Sequence, residues 1–312
     1  MYIPQLARMA MRMLMRLGGD VSHRTNHTEP TMMKPVKSSV FTSALIATLL
    51  GTAAAMAGDA TTTTTTTTIT PAPESKLSGT LNFDLNSHFI SYGNDVWADG
   101  NSWDGGTFNP SLELTWALPS DFSLILGTWW DVNGKPAGTD PVGGNLQEVD
   151  VWGGLGYKIG DLSITALYQA WLYGEETEEI IDLKFAYDCF LSPYILIHNR
   201  IEAGFAGVLG GNEGTVVVAG ISHSIEAGPV TFSFPLNVAY FFEDDFHPAS
   251  TDDGLGYGSL GVTATYAMDF LGEEYGKWNL HGGITYYVTD DDVIGNPDDE
   301  FLTGTIGIGC AF

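Results

Sequence analysis

Twelve segments with a two-residue periodicity follow one another from residue 77 to the end of the chain. In residues 230–240, apolar residues at every second position alternate with small or polar ones such as Thr231 and Ser233. Successive side chains of a β-strand point to opposite faces, so such a segment has one apolar and one polar face. The pattern predicts strands at 77–90, 109–118, 122–131, 146–158, 162–173, 179–189, 193–203, 215–226, 230–242, 257–270, 278–288 and 300–312.

The connections between these segments alternate in length. Short turns, such as 160–161 and 228–229, alternate with mostly longer loops. Tight periplasmic turns, longer outer loops and an even number of strands are typical of outer-membrane barrels. The sequence therefore predicts an all-β fold, a single antiparallel transmembrane β-barrel of about 12 strands at residues 77–312, in the bacterial outer membrane. The predicted outer loops are 91–108, 132–145, 174–178, 204–214, 243–256 and 289–299.

A secreted soluble β-sandwich or lectin-like protein is the alternative, because it also has alternating strands. It does not account for the alternation of loop lengths. After residue 57 no segment has the ~18 consecutive apolar residues of a transmembrane helix. A membrane-spanning role therefore requires a closed barrel, in which every backbone polar group is paired.

Aromatic residues lie at both ends of the predicted strands and predict two interfacial bands. The first band, beside the short turns, consists of Trp116, Phe122, Tyr157, Tyr187, Tyr194, Phe270 and Trp278. The second, beside the long loops, consists of Trp129, Trp130, Trp171, Tyr173, Phe241, Phe242 and Tyr257.

Residues 33–57 have the features of a secretory signal peptide. Lys34 and Lys37 precede an apolar stretch at 40–50, and residues 55–57 form a small-x-small cleavage site. This order of a basic, an apolar and a small-residue region predicts export and removal of the segment.

The segments on either side of this signal are not expected to fold. Residues 1–32 are interpreted as an extension from an over-long start assignment, with a mitochondrial presequence as the alternative, because Met32 and Met33 are better starts. Residues 58–76 contain a run of threonines at 61–68 and two prolines. Such a composition predicts a disordered tether.

The chain is strongly acidic, with a formal net charge of −26. Six of the 12 Lys and Arg residues precede the predicted cleavage site, but only two of the 38 Asp and Glu residues do. Six basic and 36 acidic residues therefore follow it, a net charge of −30. Such a polyanion is unsuited to binding nucleic acid through its phosphates.

Acidic runs occupy the predicted outer loops, at 243–245, 252–253, 290–292 and 298–300. Carboxylate oxygens suit Ca²⁺ or Mg²⁺, but none of the runs has the spacing of a calcium-binding loop. We expect solvated loops, or divalent cations that bridge the loops to lipopolysaccharide, rather than a structured metal site or a cofactor.

Charged residues at inward-facing positions define the candidate functional site. Charged side chains are costly on the lipid face, so they belong in the lumen. One hypothesis is a passive, porin-like channel whose acidic lining favours cations. The alternative is a structural or surface-interaction barrel whose lumen is plugged by ion pairs. The predicted lumen-lining residues are Asp84, Glu113, Glu148, Asp150, Asp182, Lys184, Asp188, Arg200 and Glu202.

No catalytic residues are predicted. A hydrolase requires a nucleophile beside a base, and the suggestive neighbours are His88 with Ser87, His198 with Asn199, and His223 with Ser222 and Ser224. Adjacent residues of a strand point to opposite faces, so we do not expect these pairs to form a site. Cys189 and Cys310 fall on opposite sides of a twelve-stranded barrel, farther apart than the ~7 Å that a disulfide allows between Cα atoms. Both thiols are therefore predicted to be free.

The last eight residues, 305–312, resemble the C-terminal assembly signal of Gram-negative outer-membrane β-barrel proteins. Thr305, Gly307 and Phe312 match its polar residue, its glycine and its terminal aromatic residue, whereas Cys310 stands at a position that is usually bulkier. The resemblance implies a small porin-like barrel, recognition by the barrel assembly machinery, and contact with membrane lipid and lipopolysaccharide. Residues 86–93 are also similar to the first strand of a family of uncharacterised small bacterial barrel proteins, which implies the same location.

Overall fold

The computed structural model of the chain describes residues 76–135 and 141–312. The predicted extension (1–32), signal peptide (33–57) and tether (58–76) lie outside these residues, except for Lys76. Within the described ranges, no helix combines the length and the hydropathy needed to cross a membrane.

Twelve antiparallel strands form a closed barrel. Each strand pairs with the next along the chain, and the last pairs with the first, with Leu81 opposite Cys310. A short helix, α1 (Gly204–Leu209), lies between the seventh and eighth strands. The predicted fold is confirmed, and the β-sandwich alternative is wrong because the sheet closes on itself. The strands are β1 (Leu77–Asn86), β2 (Thr107–Ala117), β3 (Phe122–Val132), β4 (Leu146–Ile159), β5 (Leu162–Leu172), β6 (Thr177–Tyr187), β7 (Tyr194–Glu202), β8 (Gly214–Ala227), β9 (Val230–Phe241), β10 (Gly254–Ala267), β11 (Lys277–Thr289) and β12 (Glu300–Ala311).

The outer face of the wall is apolar and exposed. Leu85, Leu155 and Ile306 are each at least half exposed, although they lie in strands that are paired on both sides. Their neighbours in sequence point into the lumen, as the two-residue period requires. An apolar exterior around a closed wall is the arrangement that a bilayer stabilises. The chain is therefore a transmembrane barrel of the outer-membrane type.

The short connections lie at the same end of the barrel as the start of β1 and the end of β12. In the β2–β3 turn, Ser120 and Asp121 have φ values of 62° and 61°. Both φ values lie in the left-handed region, which tight hairpin turns between antiparallel strands require. Trp116, Phe122 and Phe270 are exposed at this end, as predicted for an interfacial band.

The predicted second aromatic band is wrong for most of its members. Trp129 and Phe241 are buried in the lumen, whereas their neighbours Trp130 and Phe242 are exposed. Two aromatic residues in succession on a strand face opposite sides of the wall, so only one of each pair reaches lipid. The aromatic side chains Trp171 and Tyr257 are likewise buried inside.

Strand β1 is shorter than predicted, because the chain leaves the wall after Asn86 instead of at residue 90. Tyr92 and Gly93 then adopt left-handed φ values of 46° and 79°. The stretch 86–93, which resembles a first strand of small barrel proteins, therefore lies almost wholly in the connection to β2.

Candidate functional site

The connection between β1 and β2, residues 87–106, folds into the lumen and is named here the plug segment. Within it, Ile90–Ser91 pairs with Asn94–Asp95 in a short antiparallel ribbon. Phe89, Ile90 and Tyr92 are each at most 4% exposed. Because these side chains leave water only by entering the barrel, the segment fills part of the outer half of the lumen.

Two other outer loops contribute to the same filling. Phe246 in the β9–β10 loop, and Val293 with Ile294 in the β11–β12 loop, are at most 2% exposed. They pack in one apolar cluster with Tyr92 and with wall residues such as Trp171. A cavity of about 30 Å³ remains beside the plug segment, lined in part by His88, Phe89, Trp129 and Tyr287. The outer half of the barrel is therefore closed by its own loops.

Tyr92 attaches the plug segment to the barrel wall. Its ring lies on that of His198 in β7, with centroids 3.9 Å apart, and Tyr92 Oη is 2.7 Å from His198 Nδ1. The same nitrogen is 2.8 Å from Asp182 Oδ1 in β6. Gln169 Nε2 donates to the other oxygen of Asp182 at 2.6 Å. The predicted lumen residue Asp182 therefore positions the histidine that holds the plug segment.

A second histidine holds the backbone of the plug segment. His247 Nε2 donates to the carbonyl oxygen of Tyr92 at 3.2 Å. Burial, together with the nearby Arg200 guanidinium, lowers the pKa of His247 to about 3. This contact is therefore made by a neutral imidazole at ordinary pH.

Asp95 organises the far side of the plug segment. Its Oδ2 accepts a hydrogen bond from Gly100 N at 2.7 Å, and its N–H donates to Asn296 Oδ1 at 2.8 Å. Asn296 Nδ2 also donates to Gly93 O at 2.7 Å. Burial raises the pKa of the Asp95 carboxyl group. The Asn296 side chain of the β11–β12 loop thus binds backbone groups of the plug segment.

Arg200 in β7 joins the wall to two outer loops. Its Nη1 donates to Phe246 O at 2.8 Å and to Asn212 O at 3.1 Å. Its guanidinium carbon is 4.1 Å from the centroid of the Phe246 ring. Arg200 Nε is 2.9 Å from Glu178 Oε2, an ion pair that lacks good hydrogen-bond alignment. Tyr173 Oη donates to the same glutamate at 3.2 Å.

The structure distributes the predicted lumen residues over three levels. Asp84, Glu148, Asp150, Asp182 and Arg200 are buried inside the barrel. Glu113 and Lys184 face inward nearer the periplasmic end and are partly exposed. Asp188 and Glu202 are exposed and do not line the lumen as predicted. Asp188 follows the end of β6, and a register shift at the end of β7 pairs Glu202 with Glu179, which has the outward parity.

Several of these side chains have direct partners. His281 Nε2 is 2.5 Å from Asp84 Oδ1. Trp152 Nε1 donates to Glu113 Oε2 at 3.1 Å. Lys184 Nζ is 4.6 Å from the centroid of the Tyr194 ring. Asp84 and Glu113 are therefore held in place by residues of the wall.

Two buried acidic residues of the lumen, Asp131 and Glu178, were missed by the sequence reasoning. Asp131 has the same parity as the inward-facing Trp129, so its position was available from the pattern. Glu178 precedes the predicted start of its strand by one residue, and the structure begins β6 at Thr177.

The periplasmic half of the lumen is lined by small polar side chains. They occupy inward positions of their strands and are partly exposed rather than buried. Below the apolar closure the barrel is therefore a polar vestibule. Its lining includes Ser163, Thr165, Ser222, Thr231, Ser233, Thr263 and Thr265.

Ser87 and His88 contact each other, contrary to the prediction. Ser87 Oγ is 2.7 Å from His88 Nδ1. Strand β1 ends at Asn86, so the alternation of faces no longer separates the two side chains. Ser87 Oγ also accepts from Gly304 N at 2.8 Å, and His88 Nε2 donates to Gly100 O at 2.9 Å. The first of these bonds attaches the start of the plug segment to β12, and the second joins two parts of the segment itself.

The residues of the predicted assembly signal lie on β12 and directly after it. Gly307 faces the Asp84–His281 pair, and a Cβ atom there would lie 2.1 Å from Asp84 Oδ1. Phe312 N and O pair with Gly79, and the Phe312 ring is exposed. Thr305 Oγ1 donates to Asn86 Oδ1. Cys310 is buried, and both it and the exposed Cys189 are free thiols.

One acidic group in the outer loops brings several carboxylates together. The carboxylate oxygens of Asp290, Asp291 and Asp292 lie within 4.8 Å of one another, and it is the single such group found among the described residues. Burial, with its acidic neighbours, raises the pKa of Asp290.

Comparison with known proteins yields similarity at the level of solved structures. No protein-family model and no curated protein matches the chain. The KdgM porin is 10% identical, with 75% of this chain and 99% of that chain covered and a TM-score of 0.41. A NanC porin structure is 11% identical (76% and 98% covered, TM-score 0.38). The translocator domain of the autotransporter NalP from Neisseria meningitidis is 12% identical (77% and 89% covered, TM-score 0.39).

At these identities the similarity concerns the barrel alone. The closed wall, the lipid-facing exterior and the two unlike ends are properties of this chain's own geometry. On those grounds the chain is a small transmembrane β-barrel of the outer-membrane type, with twelve strands and an outer half that is closed by its own loops.

Proposed function

We propose that the protein is an outer-membrane channel with a cation-favouring lumen, and that the plug segment holds it in a closed state. The observation that carries the proposal is the inward charge. Among the described residues of the strands, seven carboxyl groups point into the lumen. The basic side chains that are enclosed with them are those of Lys184 and Arg200. A lumen of this kind attracts cations and repels anions. The seven acidic residues are Asp84, Glu113, Asp131, Glu148, Asp150, Glu178 and Asp182.

The vestibule gives such a channel a hydrated half. Its Ser and Thr hydroxyl groups replace part of the hydration shell of a small solute. The apolar cluster above the vestibule blocks the lumen, so the plug segment must be displaced before ions can pass. We propose no catalytic role, since the Ser87 and His88 side chains are bonded to backbone groups of β12 and of the plug segment.

The charge of Glu113 is expected to set part of the selectivity. In a barrel opened by replacing residues 88–105 with an Asn-Gly turn, Glu113→Gln should lower the cation-to-anion permeability ratio about fivefold, or roughly 1 kcal/mol for one partly screened charge. The reversal potential in a salt gradient across a planar bilayer measures the ratio. Glu274→Gln, in an exposed periplasmic turn, is the matched control. An anion-selective pore would contradict the proposal. So would equal permeability ratios in the opened barrel, its Glu113→Gln variant and its Glu274→Gln variant.

A structural barrel that never opens is the second candidate. The apolar cluster formed by three outer loops favours it, because its displacement exposes large side chains. Conductance distinguishes the two functions. Wild-type protein that inserts but shows no discrete steps at any applied voltage would favour the structural barrel.

The partners proposed for the barrel are lipid, lipopolysaccharide and the barrel assembly machinery. The acidic outer loops support bridging to lipopolysaccharide through divalent cations, since Asp290, Asp291 and Asp292 bring carboxylate oxygens together at the outer end. The C-terminal strand supports recognition by the assembly machinery, because the Phe312 ring is exposed.

Truncation of the terminal aromatic ring is expected to impair assembly. Phe312→Ala should remove most of the folded barrel from the outer membrane, because the exposed ring is available for recognition. Heat-modifiable migration in gels measures the folded fraction. Ile306→Ala, on the lipid face of the same strand, is the control and should fold in normal amount. Equal yields for the two variants would argue against an assembly role for Phe312.

A further inference from the structure

Two carboxyl groups inside the lumen have no basic partner in the described ranges 76–135 and 141–312. Glu148 and Asp150 lie two residues apart on β4, so both point inward, and they are 4% and 2% exposed. Their carboxyl groups are within hydrogen-bonding reach of each other. Glu148 Oε1 and Asp150 Oδ1 have no hydrogen-bond partner among the described residues. Two acceptor oxygens are thus buried without a donor.

The acidic residues around this pair are compensated. Asp131 accepts hydrogen bonds from Trp97 Nε1 at 3.0 Å and from Asn133 Nδ2 at 2.8 Å, and two further donors reach it. Glu178 has the ion pair with Arg200 and the hydrogen bond from Tyr173. Asp131 and Glu178 therefore have hydrogen-bond donors or a basic partner, whereas Glu148 Oε1 and Asp150 Oδ1 have neither among the described residues.

Two buried indole side chains flank the pair. Asp150 is the ladder partner of Trp129 on one side and of Trp171 on the other. Both indole side chains point inward and are at most 3% exposed. A charge in such surroundings is strongly destabilising unless an opposite charge or donors balance it. Four carboxyl groups, those of Asp131, Glu148, Asp150 and Glu178, face one guanidinium here, so either a bound cation or bound protons must balance the cluster.

We propose that Glu148 and Asp150 bind one hard divalent cation, of which Ca²⁺ is the type. Glu148 Oε1 and Asp150 Oδ1 are its protein ligands, and water completes the coordination. Its two positive charges cancel those of the two carboxylates, and oxygen ligands are those that Ca²⁺ prefers. The bound cation stabilises the outer half of the closed barrel. The proposal goes beyond channel activity and does not require that the barrel conducts.

Terbium luminescence tests the site directly. Tb³⁺ replaces Ca²⁺ at oxygen sites and emits when a nearby indole is excited, and Trp129 and Trp171 both flank Asp150. With full-length protein refolded in detergent, sensitised emission should saturate at one Tb³⁺ per barrel and decline when Ca²⁺ is added. Glu148→Gln and Asp150→Asn should each weaken binding by on the order of tenfold or more. Asp150→Glu, which keeps the charge, should retain part of it.

The exposed acidic loop provides the control. Asp291→Asn/Asp292→Asn, in the β11–β12 loop, should leave the sensitised emission unchanged. Emission that depends on Asp291 and Asp292 instead would overturn the proposal in favour of binding at the loop. Should the neutral variants fail to fold, urea unfolding of the wild type with and without Ca²⁺ decides the matter. Resistance that rises with Ca²⁺ and is retained in the loop variant supports the site. An unchanged midpoint means that the pair shares a proton instead.

Discussion

Replacing residues 88–105 with an Asn-Gly turn is expected to convert a closed barrel into a conducting one. Asn86 and Thr107 are direct ladder partners, so β1 and β2 are already adjacent and a two-residue type I′ turn can join them. The replacement removes Phe89, Ile90 and Tyr92 from the lumen. Twelve strands at ~4.8 Å spacing and ~40° tilt enclose a backbone diameter of roughly 24 Å, which leaves room for a channel once the plug segment is gone.

Single-channel recording in planar bilayers measures this effect. We expect rare steps for the wild type and frequent, discrete, cation-selective steps for the variant. A deletion of residues 102–104 is the matched control, because it shortens the same segment in its exposed part and leaves Tyr92 on His198. Heat-modifiable migration shows that each protein has folded. A variant that folds, inserts and stays silent would mean that the β9–β10 and β11–β12 loops close the barrel alone.

The wall was predictable because its signals are local. Alternating faces and turn residues place all twelve strands within a few residues of their observed ends. The plug segment was not predictable by the same means. His88 and Phe89 keep the alternation of β1, and only Ser87 interrupts it before residue 90, so the local pattern gives little sign that the chain departs at Asn86. The contacts that draw the segment inward, such as Tyr92 with His198, join residues 106 positions apart.

The candidate site was predictable only in part for a related reason. Parity along a strand indicates that Asp84 or Asp150 faces the lumen. It does not indicate which inward residues meet, because that depends on the register between neighbouring strands. The β6–β7 ladder shifts register between Glu179 and Ile180. Glu178 contacts Arg200 directly beside this irregularity, and no local sequence signal reveals the shift.

Arg200→Met is expected to be among the most destabilising single substitutions in the barrel. It leaves Glu178 buried without its basic partner, and breaking a buried ion pair from one side costs about 3–5 kcal/mol. Glu178→Gln/Arg200→Met removes both charges and should recover most of the loss, since a buried pair is often replaced by neutral residues at little net cost. Urea unfolding in lipid vesicles measures the free energies, and the double-mutant cycle with Glu178→Gln gives the coupling. Equal stability of Arg200→Met and the double variant would show that the charge of Glu178 is balanced elsewhere.

The same substitutions separate the stability of the wall from the closure of the outer half. Arg200 donates to the carbonyl groups of Asn212 and Phe246, which belong to two outer loops, whereas Glu178 contacts neither carbonyl. Glu178→Gln/Arg200→Met should therefore be nearly as stable as the wild type and yet open more often in bilayer recordings. Glu178→Gln alone keeps both loop contacts and should stay closed. If the double variant stays closed as well, the apolar packing of Phe246 in the lumen is sufficient to hold its loop, and Arg200 serves the wall alone.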